Sequence, residues 1–309
     1  MRPYKTARIL VVVKTYPNPS RTYGETVCCA GVDLARGEWV RLYPVTFRRL
    51  DDARFAKYQE IECLTAAPRN DSRPESRHVN NDSIRLIGPP MAAGRKGWAR
   101  RMAMLPVPIR SLEAVQDAQS AHGTSIGMLR PRRIERLVIE KAKPWGPKEL
   151  AAISQQRLDL SSPTSRELRD LDQIPWDFSY RFTCDDPRCT GHELRILDWE
   201  IGASYRKWSR TDPGRWEEMI REKYERELPA RDLHLVVGNL AKRRHTFLII
   251  GLVYPPRVQV DGVNVQGTLD LMGEQRTVAA GGIGLEAEKA DALAVDHGKD
   301  ALELFPDEG

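Results

Sequence analysis

The run Ile9-Leu10-Val11-Val12-Val13 does most to limit the folds open to this chain. Five consecutive aliphatic residues, most of them β-branched, read as a strand buried on both faces, because a strand with one wet face would alternate apolar and polar. Pro17 and Pro19 follow directly and cannot continue a strand ladder. No apolar stretch approaches the roughly eighteen residues of a membrane helix; the longest candidates are this run and Phe247 to Val253. The core must therefore come from short elements punctuated by Pro and Gly. The expected fold class is α+β, mixed and strand-rich, in two closely packed lobes. Heptads and G-x-y periods are absent, so coiled-coil and collagen readings fall away.

Three segments are expected: a strand-rich lobe with basic loops over 1–150, an α+β lobe over 166–256 after the linker-like stretch Gln155 to Ser165, and an acidic, weakly ordered tail over 257–309. In the first, Ser20 is placed to cap a helix starting near Arg21, with Glu25 in its first turns and Cys28, Cys29 and Val32 on its inner face. Trp39 to Pro44 alternates as a strand, with Val40 and Leu42 on one face and Trp39, Arg41 and Tyr43 on the other. Tyr58 to Leu64 is a third strand. Residues 68–101, with eight Arg or Lys against three acids, read as a basic loop that is mobile or ordered by a partner. Ser111 to Gln119 predicts a helix and Ile134 to Glu140 a strand. In the second lobe, strands are expected at Trp176 to Phe182, Glu193 to Ile201, Leu233 to Val237 and Thr246 to Val253, with a charged helix at Arg215 to Glu227. One hairpin is possible in the tail, at Val258 to Leu269.

Charge narrows the choice of partner. The net charge is only +5, yet from Arg257 onward four basic residues face eleven acidic ones, so the preceding body carries a net +12. A cationic body of that size suits a polyanion, and DNA is the expected partner. The basic amino terminus precedes an apolar run only one strand long, with no small-residue cleavage site. No signal peptide is expected, and the expected location is cytoplasmic.

Four regions carry chemistry. Cys184-Asp185-Asp186-Pro187-Arg188-Cys189-Thr190-Gly191-His192 brings two thiols and an imidazole onto one tight turn, a spacing that can converge on Zn²⁺ in a structural role. Cys28, Cys29, Cys63 or water would complete the set. Its order differs from that of the zinc deaminases. Next, period two over Glu193 to Ile201 places Leu194, Ile196, Asp198 and Glu200 on one face, ending an apolar stripe in two carboxylates. Burial there would raise their pKa or demand a cation, with Arg181 and Arg206 the nearest candidates. A D…ExK nuclease would place a Lys two positions after Glu200, where Gly202 stands. Third, Lys14, Tyr16, Ser20, Tyr23 and Glu25 surround a proline-stiffened turn suited to a phosphate or a flipped nucleotide. Fourth, Arg41, Tyr43, Arg48 and Arg130 add cations and an aromatic platform for stacked bases. If a glycosidic bond is cleaved, Glu25, Asp198 or Glu200 is the candidate carboxylate. No phosphate-binding P-loop exists, and Gly281-Gly282-Ile283-Gly284 lacks the dinucleotide spacing, so no nucleotide cofactor is expected.

Several of these segments also carry a resemblance. At Lys14-Thr15-Tyr16-Pro17, Glu25, Cys28, Ala30-Gly31-Val32, Trp39 to Val45, Phe47-Arg48, Ser125-Ile126-Gly127, Cys184, Cys189, Gly191-His192, Asp198-Trp199-Glu200 and Tyr254-Pro255-Pro256, the chain resembles bacterial proteins of phage-defence gene neighbourhoods. The resemblance covers residues 8–256 and extends to a defence enzyme that excises modified bases from phage DNA. It implies action on nucleic acid, with base excision by a DNA glycosylase as the implied reaction. None of that enzyme's catalytic residues maps onto a position here. A noncatalytic reader of modified DNA or RNA, and a metal-dependent nuclease using Asp198 and Glu200, are the alternatives.

Overall fold

The computed structural model describes residues 3–16, 18–20, 24–46, 55–69, 71–147 and 173–257. The linker-like stretch, the tail with its expected hairpin, Tyr23 and Arg48 lie outside them.

The first lobe contains β1 (Lys5–Lys14), β2 (Asn18–Ser20), β3 (Gly24–Asp33), β4 (Glu38–Thr46), β5 (Glu60–Ala66), β6 (Ser76–Val79) and β7 (Arg85–Ile87). β1 pairs antiparallel with β3, and β3 with β4. β4 then pairs parallel with β6, β6 antiparallel with β5, and β5 antiparallel with β1, closing a five-stranded barrel. Counted as barrel strands, the order is 1-2-3-5-4-1 with strands 3 and 5 parallel, the order of OB-type Greek-key barrels. Ile9, Val11, Cys29, Leu42, Ile61 and Val79 fill the interior. β1 is buried on both faces because its other side, Leu10, Val12 and Val13, packs under the second lobe.

Two expectations fail in this lobe. The helix near Arg21 does not form: Gly24–Asp33 is strand β3, paired on both sides, with Cys29 inside the barrel and Val32 facing out. Ladder pairing along both neighbours outweighs a single Ser cap. The basic stretch 68–101 is structured rather than a loop, holding β6, β7 and helix α1 (Arg95–Ala103). One of its arginines, Arg101, is buried in packing. Arg101 lies 4.1 Å from the Tyr58 ring and 4.7 Å from that of Trp98.

The second lobe contains α2 (Leu112–His122), β8 (Ile126–Leu129), β9 (Arg133–Lys141), β10 (Trp176–Thr183), β11 (His192–Arg195), α3 (Trp199–Thr211), α4 (Trp216–Arg221), β12 (His234–Leu240) and β13 (Arg243–Val253). A π turn, Glu222–Glu227, extends α4. The sheets are β11-β10-β9 and β13-β12-β8. β8 and β9 pair with β12 and β10, so residues placed by sequence within 1–150 build the second lobe. Val13 and Val32 of the barrel meet Met128, Val236 and Ile250 across the junction. Each such buried aliphatic contributes about 1.5–3 kcal/mol, which holds the lobes in one arrangement.

The strand expected over Glu193 to Ile201 is cut short. β11 ends at Arg195, Leu197 N–H donates to Ile249 O (2.7 Å), and α3 begins at Trp199. Asp198 is its N-cap, its carboxylate accepting from the Glu200 amide. An Asp that satisfies a free helix N–H outweighs the alternating pattern.

Candidate active site

Asp198 and Glu200 still come together, for a different reason than strand alternation. Asp198 is fully buried and Glu200 follows in the first turn of α3. Asp198 Oδ1 accepts from Glu200 N (2.9 Å), and Oδ2 accepts from Leu252 N (2.7 Å) on β13. Their cation is Lys57, from the segment that leads into β5. Lys57 Nζ donates to Asp198 Oδ2 (3.1 Å) and Leu252 O (3.1 Å), and stands 3.3 Å from Glu200 Oε1. The Tyr254 hydroxyl donates to Glu200 Oε2 (3.0 Å). Neither Arg181 nor Arg206 serves: Arg181 pairs with Glu193, and Arg206 lies over the Tyr16 ring.

Local backbone geometry delivers Lys57. Tyr58 is the non-glycine residue with positive φ (62°) among those described. A bulky residue in the left-handed region is held there by its surroundings. The Tyr58 ring packs edge-on against Trp98, 5.3 Å between centroids, while the side chain before it reaches the carboxylates.

The electrostatics separate the two acids. Burial pushes the Asp198 carboxyl up, against the pull of Lys57. Burial also pushes Glu200 up, but Lys57, Lys223 and the Tyr254 hydroxyl outweigh it and hold Glu200 below the usual carboxylate range. Burial alone would lower Lys57, yet the two carboxylates raise it above the ordinary lysine value. Glu200 is thus a carboxylate and Lys57 an ammonium at neutral pH. Two acids pushed apart by their surroundings are suited to different roles.

Glu200 and Tyr254 line a cleft of about 360 Å³, together with Lys207, Trp208, Lys223 and Arg231. Beside it, Tyr16 stacks on Trp199 (5.4 Å, 17°). Gly202 makes this possible, since a Cβ there would sit 2.6 Å from Tyr16 Cδ2. The position where a nuclease motif would carry Lys is a glycine because an aromatic ring covers it.

Other residues singled out in the sequence fall elsewhere. Lys14 donates to Phe55 O (3.0 Å), and burial lowers its pKa. Arg41 is buried and donates to Ser125 O (3.0 Å) at the lobe junction. The outward face of β3 and β4, where OB-type barrels take ligands, is here covered by the second lobe. Tyr43 on β4 is exposed. Arg130 pairs with Asp232 (2.7 Å). Ser20 and Glu25 lie in the β2–β3 hairpin, paired with Gly24 and Pro19. Lys57 was invisible to motif reading, being 141 residues from its partner.

The Cys184, Cys189 and His192 turn gains a fourth candidate ligand from α2, namely Glu113, rather than Cys28, Cys29 or Cys63. The four ligand atoms lie within 4.8 Å of one another. His192 Nε2 is 2.9 Å from Glu113 Oε1 and 3.4 Å from Cys189 Sγ. Glu113 Oε2 is buried without a hydrogen-bond partner, a costly state that a cation would relieve. Two thiols, an imidazole and a carboxylate form a set that could hold a metal ion.

A closed barrel that carries a lysine into a carboxylate pair of an α+β lobe, beside a preformed cleft, defines a two-lobed protein with a polar site at the junction. Residues 108–271, more than half of the chain, match the family model described as a domain of unknown function, DUF8757, and the chain belongs to that family. Residues 5–117, the barrel lobe, match a second model with the same description, DUF8758. No curated protein matches the chain.

Proposed function

We propose that this protein hydrolyses the N-glycosidic bond of a base turned out of DNA, with the modified bases of phage DNA as its substrates. The observation that carries the reading is Glu200, an ionised carboxylate lining a cleft and held by Lys57 and the Tyr254 hydroxyl. In such a site the C–N bond breaks as positive charge builds on the sugar, and a nearby carboxylate stabilises that charge. Glu200 orients water and takes its proton, the water oxygen bonds to the anomeric carbon, and the base departs with the electron pair and a solvent proton. Asp198 and Lys57 position Glu200 and do not touch substrate. Lys57 stays an ammonium, so it does not form an imine with the abasic sugar, and strand cleavage does not follow base release. The net +12 body supports a polyanionic substrate.

A metal-dependent nuclease is the weaker reading, because the Lys57 ammonium stands between the carboxylates that would have to bind the ion. For the Glu113, Cys184, Cys189 and His192 cluster we assign Zn²⁺, whose preference for mixed thiolate and imidazole ligands it suits. Four protein ligands make the role structural, clamping α2 to the β10–β11 turn.

Incubation with DNA carrying glucosylated or otherwise modified bases tests the reaction, read as alkali-labile abasic sites. Glu200→Gln is expected to lower the rate by about 10²- to 10⁴-fold, the usual weight of such a group, in a protein that still unfolds cooperatively. DNA binding without abasic sites, or full activity in Glu200→Gln, refutes it.

A further inference from the structure

Lys207, Lys223 and Arg231 line the same cleft as Glu200, and none is engaged by a carboxylate in an ion pair among the described residues. Their acidic neighbours are mostly occupied. Glu218 is paired with Arg215 (3.0 Å) and Glu222 with Arg226, which leaves Glu227. Aromatic faces hold two of these cations instead. Lys223 Nζ lies 5.4 Å from the Tyr224 ring centroid and 6.0 Å from that of Trp208, and the Arg231 guanidinium lies 5.8 Å from that of Tyr254. A ring face orients a cation without cancelling its charge, so the charge remains available to a ligand. The π turn Glu222–Glu227 carries Lys223 into the lining, and such turns recur at functional sites. At about 360 Å³, the cleft has room for a single nucleotide and not for a length of duplex.

From this arrangement we infer that the cleft contains a phosphate subsite, formed by Lys207, Lys223 and Arg231, that grips the phosphate ester of the nucleotide whose sugar faces Glu200. The inference rests on the reading of Glu200 as the group that meets the sugar. The phosphate could belong to a nucleic-acid backbone or to a free nucleotide, and the test separates them.

With the full chain, binding of a fluorescent single-stranded DNA is measured from 50 to 300 mM salt for the unmodified protein, Lys207→Gln, Lys223→Gln and Arg231→Gln. Calorimetry compares deoxycytidine 5′-monophosphate with deoxycytidine. Each variant is expected to weaken DNA binding by about tenfold and to reduce the salt slope by about 1, as loss of one phosphate contact does. Among the described residues Lys207 lies over no ring of the cleft, so Lys207→Gln reports charge and not packing. Tighter binding of the monophosphate than of the nucleoside extends the subsite to free nucleotides; binding of DNA alone restricts it to the backbone. Unchanged affinity and salt slope in all three variants overturn the subsite, even if base release is observed. Conversely, variant-sensitive binding with no base release on any DNA removes the hydrolase reading and leaves the subsite standing.

Discussion

Replacing Lys57 by Met removes the cation that bridges two buried acids while nearly preserving side-chain length. In the native protein Lys57 Nζ stands 3.1 Å from Asp198 Oδ2 and 3.3 Å from Glu200 Oε1. In the variant, Asp198 keeps the amides of Glu200 and Leu252, and Glu200 keeps the Tyr254 hydroxyl and the more distant Lys223, but neither acid keeps an ammonium within ion-pair distance. Removing one partner of a buried ion pair costs about 3–5 kcal/mol. At roughly 2–4 °C per kcal/mol for a chain of this size, the melting temperature is expected to fall by about 6–20 °C at pH 8. The pH dependence is the sharper criterion. Without Lys57 the carboxyl pair holds a proton more tightly folded than unfolded. A carboxyl whose folded pKa is raised stabilises the fold below its unfolded pKa and loses that contribution as pH rises through the folded value. The gap between variant and native protein should therefore widen from pH 5 to pH 8 in scanning calorimetry. Adding Asp198→Asn to Lys57→Met should recover part of the loss, because one buried charge is gone. A fall below about 2 °C, against the several degrees expected of a broken buried pair, or a gap equal at both pH values, would refute the assignment of Lys57 as their counterion.

Three further outcomes are expected. Gly202→Ala places a Cβ 2.6 Å from Tyr16 Cδ2, an overpacking worth about 1–3 kcal/mol; thermal melting should show the loss, and Tyr16→Ala in the same chain should make the pair less than additive. Tyr254→Phe removes a hydrogen bond to Glu200, so the Glu200 carboxyl should rise and the acidic limb of the rate profile should move up by roughly one pH unit; an unmoved limb over pH 4 to 8 would show that another group sets it. Purified protein should carry about one zinc by mass spectrometry, as a four-ligand site requires, and Cys184→Ser or Glu113→Gln should lose it; retention of the metal in both variants would place the ion elsewhere.

What could be read from the sequence was mostly local. The Ile9 to Val13 run forms a strand buried on both sides, as its uninterrupted apolar pattern required. Ser111 caps α2, and Gly123 closes it in the left-handed conformation. Trp39 to Pro44 and Trp176 to Phe182 lie in strands, and the Arg215 to Glu227 segment is helical. The Cys184, Cys189 and His192 trio converges because nine residues on one turn cannot spread far. Period counting failed where two local preferences competed. Asp198 and Glu200 suit an apolar strand face and a helix start equally well on paper, and the capping hydrogen bond decides for the helix. Glu25 looked equivalent to them as a carboxylate near aromatics, yet it belongs to the short β2–β3 hairpin.

The sequence by itself determined many of the strands and helices and the thiols, imidazole and carboxylates of the two clusters, because hydrophobic period, capping and turn residues act within a few positions of one another. Closing the barrel through the β1–β5 and β4–β6 pairings, covering its outer face with the second lobe, and bringing Lys57 to Asp198 and Glu113 to the cysteine turn were decided only by the tertiary structure. Those contacts join residues far apart in the chain. They are selected by the apolar area buried between lobes and by the need of each buried charge for a partner, neither of which has a period that can be read along the chain.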